Sequence, residues 1–240
     1  MPYWLRVLRD CIFPASCEAC EAPLYVGHAT SLCAACLASM GPLCPPLCAV
    51  CGVPLRAGAG ILCRGCVLHP PAFSTAHATT LYRAAPAGAN ALAIAVQALK
   101  YRRRRIVAQS LGALLAEHYP FDRDALLVPV PLHPHRLRER GFNQALLLAR
   151  VLGRRRGLAV AARALIRKRH TRAQPGLAAE ERRRNLRGAF AVTSPAIVRG
   201  RHIVLVDDVL TTGATADACA RSLLAAGATR VDAYTVGRAP

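Results

Sequence analysis

The chain has little lysine, few acidic residues and few aromatic side chains. Only two of its 32 basic residues are lysines and 13 residues are Asp or Glu, which leaves a formal net charge of +19. Arginine in this abundance favours ligands that carry phosphate, because guanidinium groups bind phosphate oxygens bidentately, although it can also reflect genome base composition alone. The 12 aromatic residues argue against a base-stacking platform for single-stranded nucleic acid.

Long hydrophobic segments are also missing. The sequence contains no run of about 18 apolar residues, the length of a membrane-spanning helix. Residues 22–55 carry no Asp, Glu, Lys or Arg, but five prolines interrupt them. Arg6, Arg9 and Asp10 lie where a signal peptide needs an unbroken apolar stretch. We therefore predict a cytoplasmic protein that does not span a membrane.

Composition divides the chain in two. Residues 1–66 hold ten of the 11 cysteines and a net charge of +1, whereas residues 67–240 hold a net charge of +18. With 53% hydrophobic residues, the chain can bury enough surface to fold over most of its length. We expect a Cys-rich module over residues 10–68 and a second domain over residues 76–240.

Eight of the cysteines form four C-x-x-C pairs at near-regular intervals. They are Cys17 and Cys20, Cys33 and Cys36, Cys48 and Cys51, and Cys63 and Cys66. One such pair alone is also typical of a redox dithiol, but each pair can direct two thiolates to one metal ion, and two pairs complete a tetrahedral zinc site. In a chain without a secretion signal, the fourfold repeat favours structural Zn²⁺, in one or two sites.

The spacing allows two ways to combine these pairs. Consecutive pairs make two zinc ribbons, residues 17–36 and 48–66, whereas a cross-braced arrangement joins the first pair to the third and the second to the fourth. We favour consecutive ribbons, because each half then closes a short local loop. Cys11 and Cys44 fit neither scheme, and we expect them to be buried small hydrophobes or spare thiols. The module's low charge favours a structural role over recognition of nucleic acid.

A β-turn-α-β unit is predicted near the C-terminus. Residues 203–206, Ile-Val-Leu-Val, are typical of a buried strand in a parallel sheet. A turn over residues 211–215 follows, and then a helix that ends at Gly227. Residues 231–236 predict the next strand.

The turn of this unit has the chemistry of a phosphate site. Its residues are Thr211, Thr212, Gly213, Ala214 and Thr215. Backbone N–H groups at a helix start are unpaired, the helix dipole is positive there, and Gly213 allows a phosphate to approach the backbone. Asp207 and Asp208 at the strand's carboxyl end can accept hydrogen bonds from sugar hydroxyls or hold hydrated Mg²⁺. Together these groups suit a phosphorylated ribose.

Two other nucleotide-binding motifs are missing, and the sequence instead resembles a third. The sequence contains neither G-x-x-x-x-G-K-[ST] nor a G-x-G-x-x-G after a strand. Residues 204–215, VLVDDVLTTGAT, resemble the phosphoribosyl pyrophosphate motif of type I phosphoribosyltransferases. This resemblance implies that Asp207 and Asp208 bind the ribose hydroxyls and that residues 211–215 surround the 5′-phosphate.

Upstream, residues 126–131 predict a strand that leads into a proline-stiffened loop. Arg136, Arg138 and Arg140 lie in this loop, before a helix whose buried face we expect to include Ala145 and Leu148 together with Ala149 and Leu152. Arg136 and Arg140 are candidates to neutralise a pyrophosphate leaving group. On charge alone, the segment could equally be a solvated basic loop.

The whole chain resembles the ComF (GntX) family of phosphoribosyltransferase-like proteins. The matching features are the paired zinc knuckles, Leu99–Tyr101 (LKY), residues 128–133 (VPVPLH), Arg140–Gln144 (RGFNQ), Thr171 with Gln174, Asn185 with residues 188–190, and the final phosphate loop. The resemblance implies a type I phosphoribosyltransferase fold, a mostly parallel sheet flanked by helices, behind a double zinc ribbon. It also implies a cytoplasmic role in DNA uptake during natural transformation, in handling incoming single-stranded DNA.

Two functions fit these residues. In one, the protein binds phosphoribosyl pyrophosphate with Mg²⁺ and contacts single-stranded DNA, while its zinc ribbons dock proteins of the competence machinery. In the other, it is an active phosphoribosyltransferase that acts on an unknown nitrogen acceptor without a DNA role, and no residue identifies the acceptor site or a general base. For DNA, the candidate phosphate contacts are the arginines within 102–105, 154–156, 163–172 and 182–184, which also suit solvated surfaces.

Overall fold

The computed structural model describes Trp4 and residues 15–24, 30–58, 60–84, 88–169 and 185–240. The strands are β1 (Ala76–Leu81), β2 (Leu126–Pro129), β3 (Leu165–Arg167), β4 (Phe190–Val192), β5 (His202–Leu210) and β6 (Arg230–Arg238). The helices are α1 (Ala34–Ser39), α2 (Arg64–Leu68), α3 (Ala91–Tyr101), α4 (Val107–Glu117), α5 (Pro134–Arg140), α6 (Gln144–Arg156), α7 (Pro195–Val198) and α8 (Ala214–Ala225).

The main sheet has the strand order β1-β6-β5-β2, and all neighbours in it are parallel. β5 and β6 occupy its centre, as their apolar runs predict, because a central strand of a parallel sheet is covered on both faces. β5 extends further than the sequence pattern suggested. It continues to Leu210, which pairs with Arg238, so that Asp207 and Asp208 lie within the strand rather than after it.

The alternation of side chains along β5 builds two separate hydrophobic cores. Val204 and Val206 face a cluster that contains residues of α3, α4 and α6. Ile203 and Leu205 face the opposite cluster, which contains residues of α8 and of the antiparallel pair β3–β4. By the same alternation, Asp207 and Asp208 point to opposite faces of the sheet.

The two Cys-rich units pack on these opposite faces. Leu32 and Met40 of the first unit belong to the core with α3, α4 and α6, where Ser31 Oγ also lies 3.2 Å from Ser110 Oγ of α4. Cys48 and Cys66 of the second unit belong to the other core. Each unit thus covers apolar surface that would otherwise face solvent.

The segment before α6 is helical, contrary to the predicted loop. α5 begins with Pro134 as its first residue and ends at Gly141, whose φ of +78° is a conformation that glycine adopts readily. Its only apolar side chain after the proline is Leu137, so the segment offers no hydrophobic periodicity that would predict a helix. In α6, the expected buried residues are confirmed: Ala145, Leu148, Ala149 and Leu152 are all buried.

Several sequence features fall outside the described residues. They are Cys11, Thr171, Arg172, Gln174 and the arginines of 182–184. Among the helices that the structure describes, none is long and apolar enough to cross a membrane.

Candidate functional site: two metal centres and a phosphate loop

The eight C-x-x-C thiols form two groups of four. Cys17, Cys20, Cys33 and Cys36 make up the first, and Cys48, Cys51, Cys63 and Cys66 the second. Within each group, all four Sγ atoms lie within 4.8 Å of one another. Consecutive pairs therefore share a centre, and the cross-braced alternative is excluded.

Both centres have the geometry of a four-thiolate zinc site. A Zn–S bond of about 2.3 Å puts the sulfurs of a tetrahedral site about 3.8 Å apart. The Cys20–Cys33 and Cys51–Cys63 Sγ pairs are both separated by 3.6 Å. The residues present thus fit Zn²⁺, which would hold each short ribbon together where little core exists.

The same local structure builds each centre. α1 and α2 begin directly after Cys33 and Cys63, whose sulfurs accept a hydrogen bond from the backbone N–H three residues later at 3.4 Å. Burial raises the pKa of Cys17, but backbone N–H groups, the strongest that of Cys33, lower it to about 6. Burial likewise raises the pKa of Cys48, and backbone hydrogen bonds lower it to about 6. These donors favour the thiolate that a metal requires.

Cys44 belongs to neither centre. It is exposed, and its Sγ lies 3.8 Å from the carbonyl oxygen of Pro42. The expectation that it is a buried hydrophobe is wrong, and the alternative of a spare thiol fits its position.

The phosphate loop lies between the carboxyl end of β5 and the start of α8. Gly213 precedes α8 with a φ of +77°, and Phe73 packs 3.5 Å from the position that a Cβ would occupy there. Thr212 Oγ1 accepts a hydrogen bond from Ala214 N at 3.4 Å. The first N–H groups of α8 lack carbonyl partners within the helix, so they are available to an anion.

A cleft of about 50 Å³ adjoins this loop. It is lined by Asp207, residues 209–216, Val130 at the end of β2, Leu205, Ala233 and Thr235. The structure thus brings the predicted phosphate-binding residues together with one carboxylate of the pair.

Asp208 does not line the cleft. Its side chain is buried on the other face of the sheet, where Oδ2 forms an ion pair with Lys100 Nζ of α3 at 2.6 Å. The sequence motif LKY includes this lysine but assigns it no role. In this arrangement Asp207, not Asp208, is the carboxylate that lines the cleft.

Asp207 lies where a negative charge is disfavoured. Burial, and then the charge of Asp208, raise its pKa to about 8, although Lys100 acts in the opposite direction. Burial also lowers the pKa of Arg167 on β3. The positive charge of Arg136 lowers this pKa further, whereas the negative charge of Asp207 raises it. A ligand that donates hydrogen bonds, or brings a cation, would stabilise ionised Asp207.

Two segments that contact each other carry seven arginines, here called the arginine surface. It comprises Arg102, Arg103, Arg104, Arg105, Arg136, Arg138 and Arg140. Arg103 Nη2 donates to Glu139 O at 2.7 Å, and Arg105 Nη2 donates to Gly141 O at 3.3 Å. These bonds hold the α3–α4 loop against α5.

The two arginines predicted to meet a pyrophosphate already have partners. Arg136 Nη1 lies 3.4 Å from Glu139 Oε2 on the exposed side of α5. Arg140 Nη1 donates to Gln144 Oε1 at 2.6 Å, and its guanidinium lies 5.7 Å from the ring centroid of Tyr101. Asn143 Nδ2, at the start of α6, donates to Val130 O at 3.0 Å and so ties α6 to the cleft.

Comparison with known proteins agrees with this architecture. Residues 8–67 match the family described as Double zinc ribbon domain, and residues 140–240 match the family described as Phosphoribosyl transferase domain. The fold and the thiol centres therefore define a protein of the type I phosphoribosyltransferase fold with an N-terminal double zinc ribbon.

Relatives extend the match to nearly the whole chain. DNA utilization protein YhgH of Salmonella typhimurium is 34% identical over 94% of this chain and 97% of its own length. Competence protein F of Haemophilus influenzae is 29% identical over 95% and 98%. Competence protein ComFC of Bacillus subtilis is 39% identical over 50% and 47%. The chain belongs to the ComF (GntX) family.

A solved structure of glutamine phosphoribosylpyrophosphate amidotransferase from B. subtilis also aligns with part of the chain. It has 23% sequence identity and a TM-score of 0.37 over 52% of this chain and 25% of that chain.

Proposed function

We propose that this protein binds phosphoribosyl pyrophosphate with Mg²⁺ in the cleft beside the phosphate loop, and that it handles incoming single-stranded DNA in the cytoplasm during DNA uptake. The observation that carries the first part is the joint placement of residues 211–215, the start of α8 and Asp207 around one cleft. A phosphate cradle beside a carboxylate matches a ribose that carries a 5′-phosphate.

Each group near the cleft has a role in this proposal. The N–H groups of α8 and the threonine hydroxyls of residues 211–215 hold the 5′-phosphate. Asp207 accepts hydrogen bonds from the ribose hydroxyls, while Asp208 and Lys100 form the buried pair behind it. Arg136 and Arg140 are the candidates for the pyrophosphate, at which Mg²⁺ would neutralise charge.

The DNA part rests on relatives and on charge. Curated relatives carry the names DNA utilization protein and competence protein. The arginine surface offers sequence-independent phosphate contacts, and Arg105 and Arg140 lie over the rings of Phe142 and Tyr101. Tyr101, whose side chain is 71% exposed, also provides a ring on which a base can stack. The zinc ribbons would then dock competence-machinery proteins.

Calorimetric titration of phosphoribosyl pyrophosphate with Mg²⁺ into zinc-loaded protein tests the ligand. We expect saturable binding that Asp207→Asn abolishes. Asp217→Asn is the matched control, because Asp217 pairs with Arg221 and accepts from Ala72 N instead of lining the cleft. The absence of binding to the folded wild-type protein would refute the proposed ligand site.

Fluorescence anisotropy with labelled oligodeoxythymidine tests the DNA surface. The variant Arg102→Ser/Arg138→Ser removes two charges from the arginine surface, and Arg199→Ser/Arg201→Ser, outside every candidate contact segment, removes two exposed charges between α7 and β5. We expect the first variant to reduce the steepness of the slope of log K against log salt by about 1.4, as for the loss of two phosphate contacts. The second variant should leave the slope unchanged. Equal effects of both variants would show that only overall charge matters.

A further inference from the structure

Arg238, near the end of β6, lies between the second metal centre and the phosphate loop. Its side chain is buried. On one side, Nε donates to Cys51 O at 2.9 Å and Nη2 lies 3.6 Å from Cys51 Sγ. On the other side, Nη1 donates to Leu210 O at 3.1 Å and to Thr211 O at 2.6 Å, and it also contacts Ala239 O.

The buried guanidinium of Arg238 requires a counter-charge, and the sulfur atoms of the second centre can supply it. Within the described part of the chain, Arg238 forms no ion pair with an Asp or Glu side chain. A buried charge without a partner is strongly destabilising. Four thiolates around one divalent cation retain two negative charges, and Cys51 is one of the four thiols in the second centre. A metal-loaded centre would therefore balance the charge of Arg238.

We propose that the metal at the second centre holds the phosphate loop in its binding conformation through Arg238. Loss of the metal releases the Cys51 sulfur from the centre, so that the Cys51 carbonyl and sulfur fix the guanidinium less firmly, and its hold on the carbonyls of Leu210 and Thr211 weakens. Because coupling between two sites is reciprocal, a ligand in the loop must in turn tighten the binding of this metal. The identity of that ligand rests on the proposed function, whereas the coupling itself does not.

The first metal centre provides an internal control. It packs on the opposite face of the sheet, and its described ionic contact runs from Glu18 to Arg104 at 2.6 Å, away from the loop. Cys33 and Cys63 occupy equivalent places in the two ribbons, since both are partly buried and both precede a short helix.

Hydrogen exchange of the ligand-free protein tests the coupling without any phosphoribosyl compound. In Cys63→Ser, we expect the amides of Asp217 and Ala239, which donate to Gly213 O and Leu210 O, to exchange about tenfold faster than in the wild type, the effect of losing hydrogen bonds to a charged group. In Cys33→Ser, the same amides should keep the wild-type rate. Equal acceleration in both variants, or none in Cys63→Ser, would overturn the proposal.

Arg238→Gln separates coupling from simple loss of metal. We expect this variant to retain both zinc ions by metal analysis but to show the accelerated loop exchange, and Arg238→Lys, which keeps the charge with fewer donors, to lie between it and the wild type. If Arg238→Gln does not fold, a chelator is used instead to remove zinc stepwise from the wild-type protein. Unchanged loop exchange after the second centre has lost its zinc would then contradict the coupling.

The reciprocal measurement connects the coupling to the ligand. In the wild type, phosphoribosyl pyrophosphate with Mg²⁺ should raise the affinity for one zinc about tenfold in an equilibrium chelator competition and leave the other unaffected. In Arg238→Lys this gain in affinity should shrink. Failure of the wild type to bind the compound would refute the proposed ligand, and the exchange experiment would still decide the coupling.

Discussion

Asp207→Asn and Asp208→Asn alter adjacent residues of β5, but the structure places the two carboxylates in opposite environments. Asp207 has a pKa of about 8, against an ordinary value of 3.8, because of burial and the charge of Asp208. Since one pKa unit corresponds to about 1.4 kcal/mol, folding at pH 7 must protonate Asp207 and this costs roughly 4 kcal/mol. We expect Asp207→Asn to recover about 1–2 kcal/mol of this and to stabilise the ligand-free protein.

Asp208→Asn should have the opposite effect. It leaves the Lys100 ammonium, whose side chain is only 21% exposed, without its carboxylate. Breaking a buried ion pair in this way costs about 3 kcal/mol or more. Burial lowers the pKa of Lys100, but the charge of Asp208 outweighs it and raises the pKa above the ordinary 10.5. The stability from this pair is therefore present throughout pH 6–8 and is lost only above pH 10.5.

The pH dependence distinguishes the two carboxylates. A raised carboxyl pKa means that stability is complete below the unfolded pKa and falls until the pH reaches the folded pKa. For Asp207 this window runs from about pH 4 to pH 8. Between pH 6 and pH 8, the advantage of Asp207→Asn over the wild type should therefore grow, and the deficit of Asp208→Asn should shrink, because removal of the Asp208 charge lowers the pKa of Asp207.

Urea unfolding of the zinc-saturated proteins, followed by circular dichroism, measures both effects. Comparing each variant with the wild type at the same pH removes the contribution of zinc binding, which changes with pH in all three proteins. If the two amide variants shifted stability in the same direction, or if the effect of Asp207→Asn did not change with pH, the assignment of separate environments would be wrong.

Three further substitutions test other parts of the fold. Asp232→Ala removes the buried carboxylate that His202 Nε2 contacts at 2.7 Å, and we expect a loss of about 3 kcal/mol in urea unfolding, with His202→Gln losing less. Asn143→Ala removes the cap of α6 and the bond to Val130 O, which should cost about 1–2 kcal/mol and weaken calorimetric ligand binding. Gly213→Ala places a side chain at a φ of +77°, and we expect about 1 kcal/mol of destabilisation together with weaker phosphate binding, whereas an unchanged affinity would argue against the loop as the phosphate site.

Local patterns predicted most of the elements near the site. The apolar run at residues 203–206 identified β5, and the near-regular C-x-x-C pairs identified the two thiol centres, because both signals depend on neighbours in the chain. The length of β5 was less accessible, since Asp207 and Asp208 resemble the end of a strand in sequence, yet Leu210 still pairs with β6. α5 escaped prediction because capping by Pro134 and Gly141, not hydrophobic periodicity, defines it.

Contacts between distant segments could not be predicted. Lys100 and Asp208 are separated by 108 positions in the numbering, and their pairing depends on how α3 packs on the sheet. Arg238 looks like an ordinary surface arginine in the sequence, but the structure buries it against Cys51. The placement of the ribbons on opposite faces also follows only from the packing of the complete sheet.

The strand order has a consequence for how the protein forms during synthesis. β1 pairs only with β6, the most C-terminal strand, among the strands of the main sheet. The thiol centres close within short stretches of chain and can take up metal as soon as they leave the ribosome. The cores against which they pack include Val231 and Tyr234 of β6, which are translated after the ribbons and the other strands of the sheet. The apolar sides of the metal-loaded ribbons therefore stay exposed until β6 inserts between β1 and β5.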